Sequence, residues 1–527
     1  MRLLSLSTWL YIATTLAETA LSLKNEEWIV GQEVKTTSGA IVGHGSGWKP
    51  LVSEYLGVRY AEPPVGDLRF AAPQPYRSND THKAATVTDS CPSTSWTSAN
   101  ATVNYESVLG AVATQLVGAG ETFSEDCLGL SIWTMPQFGD RSKAVLIWVP
   151  GGSFNSGSQA LSAYNGAGLA NDHDVVVVTI NYRLSIFGFP GSDDLDSNLA
   201  LRDLRLSIEW VRDNIEQFGG DPSRITLVGQ SAGGQLVDTY SYGWRRDPII
   251  NGLIMMSGYV LPWKAKVTQQ DAAAQWRRAV RALDCEEGNG GSDNATECMR
   301  RKPWQELAVL DDRNGFIFGP TPDEELVFSY PLPLLEDGKF VPVPILLGQT
   351  DDEATLFDSL GKRQSFTADI PCAARIIAAA RARHDIPAWH YIYAGNWPNM
   401  DIGIGNAWHA SDVPMLFGTG EFLTRRASTA DERRLSSYIG NAWTSFSKDP
   451  HGGLDRISWP VFDVSDKGEC HLRRIRPTVF DMGREITRKI CVSEPTNIVL
   501  GGNRSANITL ERNDHWVVNC TGERGTL

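Results

Sequence analysis

Ser231 is the residue best placed in this chain to act as a nucleophile. It stands in Gly229-Gln230-Ser231-Ala232-Gly233, directly after the β-branched apolar run 224–228 and just before a stretch of helical character at 235–240. A strand that turns at once into a helix around G-x-S-x-G leaves the serine hydroxyl exposed on a sharp turn, and the glycines let two backbones pass close together. The helix N-terminus beneath the hydroxyl favours developing negative charge. This is a layout for acyl transfer. It calls for three further parts: a base for the serine proton, a carboxylate to orient that base, and backbone N–H groups for the oxyanion.

The chain holds nine histidines. His390 falls inside the strand-like run 389–393, while His451, His471 and His515 lack a preceding strand and loop. His409 follows a strand and a glycine-bearing loop at 403–407. For the acid, the strand-like run 344–348 leads into Asp351, Asp352 and Glu353, and all three compete. Each lies in the order serine, acid, histidine. For the oxyanion, the apolar strand 144–149 runs into Pro150-Gly151-Gly152-Ser153-Phe154, a glycine-bearing turn after a buried strand.

These parts need a scaffold, and the pattern predicts one. The run 174–180 is β-branched without alternation, as in a strand covered on both faces. Leu201, Leu204, Ile208, Val211 and Ile215 recur at helical spacing, which predicts a helix over 199–218. The run 249–256 reads as another strand. Strand, helix, strand and elbow in succession make β-α-β units and a mostly parallel sheet. Residues 304–335 are loop-rich, with many prolines and acids, and suit a cap over the site. No internal repeat is present.

Composition bounds the partners. Hydrophobic residues make up 42% of 527, enough for one large core with insertions, and the net charge of −14 argues against nucleic acid and anionic membranes. Residues 1–22 have one early arginine, an apolar run and small residues near 17–22. That is the layout of a cleaved signal peptide, leaving 23–527 as a single domain. The apolar run is shorter than the ~20 residues of a spanning helix, and no later stretch is long and charge-free enough. Eight cysteines suit an oxidising compartment. Six sequons, at Asn79, Asn100, Asn294, Asn503, Asn507 and Asn519, are glycosylation candidates. A secreted protein is expected. Nothing in the sequence sets an oligomeric state.

Several stretches together resemble the type-B carboxylesterase (cholinesterase-like) family. They are the serine motif with Phe218-Gly219-Gly220 before it, YLGVRYAEPPVGDLRF at 55–70, Ser124-Glu125-Asp126-Cys127-Leu128, HASDVPMLFG at 409–418, and the late Trp443 to Phe446 and Trp459-Pro460. The resemblance covers roughly 36–465. The stretch 470–527 departs from it and reads as peripheral. What it implies is an α/β-hydrolase fold with a large, mostly parallel sheet flanked by helices and with cap insertions. It also implies hydrolysis of small-molecule or lipid carboxylic esters without metal or cofactor. It assigns Ser231 as nucleophile, His409 as base and Glu353 as the acid, with Ala354 replacing the family's glycine. The oxyanion donors would be Gly152, Ser153 and Ala232. Pro150 and Ser153 depart from the usual histidine-and-glycine loop. The family pairs Cys91 with Cys127 and Cys285 with Cys298; the longer loop closure would contribute ~4 kcal/mol. Phe154, Gln230 and Trp263 are pocket candidates. The pairing of Cys372, Cys470, Cys491 and Cys520 stays open. Two other readings stay open as well: a lipase acting at lipid interfaces, and a secreted binding or adhesion homologue that has lost catalysis.

Overall fold

A computed structural model describes residues 28–98, 100–116, 118–136, 142–260, 267–286, 294–311, 315–361, 370–462, 497–502 and 505–511. Residues 1–22, expected as a signal peptide, and Trp263, Asn503, Asn519, Cys470, Cys491 and Cys520 lie outside these residues.

An eleven-stranded sheet runs through the molecule. Its middle is parallel: Val176–Ile180, Lys143–Val149, Gly220–Gln230, Gly252–Met256, Ile345–Thr350 and Ala388–Tyr393 lie side by side in that order. Antiparallel strands extend one edge through Gly129–Thr134, Ser53–Arg59 and His44–Gly45. A small separate sheet joins the hairpin Glu33–Thr36 and Gly39–Val42 to Thr81–Lys83.

The central strands show why the sequence lacks alternation there. All seven residues of Lys143–Val149 are buried. Val145, Ile147 and Val149 pack into one core, while Ala144, Leu146 and Trp148 pack into the other. The first core is closed by the helix Leu199–Asn214, through Leu201, Leu204, Ile208 and Val211. The second is closed by Ala430–Lys448, through Leu435, Ile439, Trp443 and Phe446. This long helix starts at a capping box, with Thr429 and Glu432 each satisfying the other's backbone N–H. The molecule is thus a helix–sheet–helix sandwich, the α/β-hydrolase architecture.

Three local expectations shift. The helix predicted over 199–218 ends its α-helical part at Asn214 and finishes as a 3-10 turn, Ile215–Phe218. The strand predicted from 174 starts at Val176, because Asp174 sits at φ 48° as the C-cap of the preceding helix. The stretch after 470, read as peripheral, supplies Asn497–Gly502 and Ser505–Glu511, which add two strands to the main sheet beside Ala388–Tyr393. Their β-branched runs fit a sheet edge, and Leu500 is fully buried.

Both disulfides implied by the family are formed, Cys91–Cys127 and Cys285–Cys298, closing loops of 36 and 13 residues. Cys372 is disulfide-bonded as well.

The turn after Val176–Ile180 is locked by a buried ion pair. Arg183 donates through Nε (2.8 Å) and Nη2 (2.6 Å) to Asp203, and through Nη1 to the Ala71 carbonyl at 2.7 Å. Arg183→Met leaves the Asp203 carboxylate buried without its partner and should lower unfolding stability by about 3–5 kcal/mol in denaturant titration. Adding Asp203→Leu should recover most of that loss. A single variant as stable as the parent would contradict the pairing.

Candidate active site

The strand Gly220–Gln230 delivers Ser231 to the start of the helix Ala232–Gly243. Ser231 sits at φ 55°, ψ −124°, a strained conformation for a residue with a side chain. Two backbone bonds hold it there: its N–H donates to the Met256 carbonyl at 2.8 Å, and its carbonyl accepts from Gln235 N–H at 2.9 Å. The turn closes only because glycines flank it. A Cβ on Gly233 would lie 2.1 Å from the Val149 carbonyl oxygen, and one on Gly229 would lie 2.5 Å from the Gly233 backbone.

The glycine-bearing turn after Lys143–Val149 lies against this elbow. Gly152, Ser153 and Phe154 have φ of 119°, 55° and 64°. Serine at the third position thus adopts the left-handed backbone that a glycine would reach at lower cost. The N–H groups of Gly152, Ser153 and Ala232 donate to no group among the described residues. Ser153 and Ala232 line the same cavity as Ser231.

The three acids at the end of Ile345–Thr350 separate by their surroundings. Asp352 caps the next helix, accepting from Thr355 N–H at 2.9 Å and Thr355 Oγ1 at 2.6 Å. Asp351 accepts from Ala407 N–H at 2.9 Å and so ties the histidine loop to this turn. Glu353 is buried and bonds to His409 Nδ1 through Oε2. Its Oε1 accepts from Ser257 Oγ at 2.7 Å and from Thr350 N–H at 2.8 Å. The turn needs no glycine at 354, where Ala354 has ordinary right-handed angles. His390, by contrast, is buried within the sheet against Gln349 Oε1 at 2.9 Å.

A carboxylate only accepts, so Nδ1 of His409 carries the proton and Nε2 is an acceptor. In this structure Nε2 accepts from the Gln230 side-chain amide at 3.1 Å, not from Ser231. Gln230, expected in the substrate pocket, is 3% exposed and outside the cavity lining. It is covered because it ends a strand whose last six residues are all buried. Phe154 does line the cavity, which has a volume of about 290 Å³ and is lined by Ser153, Ser231 and Ala232 as well. Asn79, Asn100 and Asn294 are exposed. Among the described residues no group of His, Cys, Asp or Glu is arranged to hold a metal ion, and no helix is long and apolar enough to cross a membrane.

Sequence reasoning missed three neighbours of the site. Ser257 clamps Glu353; it follows Gly252–Met256, whose last residue pairs with Gly348, so the strand order places it beside the acid turn. Phe357 packs against the imidazole, with ring centroids 5.0 Å apart. Asp412 is 1% exposed and accepts from Tyr391 Oη at 2.9 Å. Phe357 carried no local signal, and Asp412 lay inside the 409–418 motif without a role of its own.

Burial pushes the Asp412 carboxyl up to about 7, against the opposing Tyr391 bond; Asp351 is likewise raised to about 7, chiefly by burial. An unfolded aspartate titrates near ~3.9. Between that value and about 7 the folded protein therefore holds more protons, and its stability falls as pH rises through this window. Asp412→Asn keeps an acceptor for Tyr391 but cannot ionise. The difference between its unfolding temperature and the parent's should shift in the variant's favour from pH 5 to pH 8, with Asp351 keeping its own share of the pH dependence. An equal loss from pH 5 to pH 8 in both proteins would show that Asp412 contributes nothing to it.

Comparison with known proteins identifies the family. The model of the "Carboxylesterase family" matches residues 31–369. A chlorogenic acid esterase of Aspergillus niger is 33% identical over 467 residues, covering 82% of this chain and 88% of the relative. A secreted lipase 5 of Gibberella zeae is 30% identical over 494 residues, covering 84% of this chain and 90% of the relative. Among solved structures a PNB esterase superposes with a TM-score of 0.72 at 23% identity, over 92% of this chain and 98% of the other; it bears on the fold alone. The chain belongs to the carboxylesterase family and is a carboxylic ester hydrolase.

Proposed function

We propose that this chain is a secreted serine esterase working through Ser231, His409 and Glu353. The observation that carries the reading is the pairing of Glu353 with His409 Nδ1, in the loop facing the strained Ser231 elbow. As the Ser231 oxygen attacks the ester carbonyl, its proton passes to His409 Nε2. Serine must first replace the Gln230 amide as the partner of that nitrogen. The carbonyl oxygen becomes an oxyanion among the N–H groups of Gly152, Ser153 and Ala232, which are fixed before the reaction starts. The imidazolium, stabilised by Glu353, returns the proton to the departing alkoxide, and the acyl group stays on Ser231. Water then repeats the sequence and releases the acid.

Export is supported by the leader-like first residues and by two disulfides. A relative named as a secreted lipase points the same way and supports a second reading, action on longer-chain acylglycerols or sterol esters. The non-catalytic alternative is disfavoured because nucleophile, base and acid are all kept.

Ser231→Ala should lower ester turnover by ~10⁶, by analogy with other triads, while the protein folds and is secreted. His409→Gln should remove activity at every pH. Turnover of a short-chain ester by Ser231→Ala at the parent rate would refute the assignment.

The same site predicts indifference to a cationic alcohol. Much of the family has Glu before the serine, and Gln230 drops that charge while keeping the shape. A buried carboxylate there would attract a cation strongly where water is excluded, whereas the field of the −14 surface is screened beyond ~8 Å. The kcat/KM for butyrylcholine should therefore stay within about tenfold of that for 3,3-dimethylbutyl butyrate. A larger preference for the cation that persists at high salt would contradict this.

A further inference from the structure

The turn after Lys143–Val149 carries a serine where glycine would cost less. Ser153 holds φ 55°, left-handed backbone that strains any residue with a Cβ. Glycine would offer the same N–H without that strain. What serine adds is a hydroxyl, placed between the proposed oxyanion donors.

The backbone on both sides of Ser153 is fixed. The Gly152 carbonyl accepts from Asn155 N–H at 3.1 Å, from Ser156 N–H at 3.0 Å and from Ser156 Oγ at 3.0 Å. That carbonyl and the Ser153 N–H share one planar trans peptide, so tying the oxygen back into the turn aims the N–H the other way. The Phe154 carbonyl accepts from Ser185 N–H at 2.7 Å, and the Pro150 carbonyl from Tyr182 Oη at 2.7 Å. With the backbone held, rotation about χ1 is what places the Ser153 hydroxyl.

That hydroxyl is uncommitted, unlike its neighbours. Ser156 Oγ is used on the Gly152 carbonyl, and Ser158 Oγ donates to Glu121 at 3.1 Å. Ser153 Oγ makes no hydrogen bond among the described residues, and Ser153 is exposed where it lines the cavity with Ser231 and Ala232. In either gauche rotamer a serine Oγ lies about 3 Å from its own backbone nitrogen. An acceptor held by the Ser153 N–H is therefore within reach of the Ser153 hydroxyl too. A charged oxygen draws that O–H more strongly than a neutral carbonyl does.

We infer that the Ser153 hydroxyl is a further catalytic donor, bonding to the oxyanion beside the N–H groups of Gly152, Ser153 and Ala232. This rests on the triad and the donors proposed above. As Ser231 Oγ bonds to the ester carbon, the carbonyl π pair moves onto oxygen and Ser153 Oγ–H turns to it. Ser153 keeps its proton throughout; the proton of Ser231 goes to His409. The bond weakens again as the carbonyl re-forms and the alcohol leaves.

Two variants test the hydroxyl apart from the strain. Ser153→Ala keeps the Cβ and removes the hydroxyl, and Ser153→Gly removes both. With 4-nitrophenyl butanoate, kcat and kcat/KM should fall together in both variants, by roughly ten- to a hundredfold, the size expected of one hydrogen bond to a charged group. A trifluoromethyl ketone, which adds Ser231 to form a hemiketal oxyanion, should bind both variants more weakly by the same factor. Unfolding temperatures establish that the variants are folded, and Ser153→Gly, free of the strain, carries the test alone if Ser153→Ala is not. Parent turnover in either folded variant would overturn the inference. So would a raised KM at unchanged kcat, or unaltered binding of the ketone. A loss in Ser153→Ala that Ser153→Gly restores would assign the effect to backbone strain and overturn it as well. Ser231→Ala in the same assay separates the two levels. If Ser231→Ala is inactive while the Ser153 variants are unimpaired, this inference alone fails. If Ser231→Ala keeps the parent rate, the triad reading fails and this inference with it.

Discussion

The close approach of two backbones governs this molecule. Lys143–Val149 and Gly220–Gln230 are parallel neighbours, with Val149 opposite Gly229. Parallel strands end on the same edge, so the turn after each emerges beside the other. One turn becomes the elbow and the other the loop of open N–H donors. They fit together only because Gly233 has no side chain, its Cβ position being 2.1 Å from the Val149 oxygen. From this contact follow the strained angles of Ser231 and the run of positive φ at Gly152, Ser153 and Phe154. Such strain costs roughly 1–3 kcal/mol per residue. The burial of strands on both faces of the sheet outweighs it, since each large apolar side chain taken from water contributes about 1.5–3 kcal/mol.

A second constraint is that several carboxyl groups share a nearly dry corner. Glu353 is supplied with donors from His409, Ser257 and Thr350. Asp412 is bonded by Tyr391, and burial pushes it up to about 7. Of these two acids, Glu353 is the one with donors on both oxygens. Gln230 extends the same logic to the other side of the ring: an amide there engages His409 Nε2 without adding a further buried charge.

Much of this was legible in the sequence because its causes are local. The elbow needs glycines at fixed spacing, buried parallel strands need unbroken β-branched runs, and the order serine, acid, histidine follows the strand order. The family resemblance separated Glu353 from Asp351 and Asp352, which the residues alone left in competition. What was not legible depends on distant partners. Ser257 reaches Glu353 across 96 positions, and Gln230 reaches His409 across 179. The cavity wall at Phe316 to Phe328 comes from a proline-rich stretch without periodicity. The strands Asn497–Gly502 and Ser505–Glu511 were misjudged because a basic, polar stretch hid two short β-branched runs.

The central claim is that the elbow, and no other serine, carries the acyl group. An aryl ester labelled in its acyl part, mixed with the enzyme and quenched in acid within the first turnover, would trap the intermediate. Peptide mass mapping then locates the acyl group. The account predicts a single acylated residue, Ser231, with one acyl group per protein chain. Acylation at another residue, or none in a preparation that is hydrolysing the ester, would contradict it.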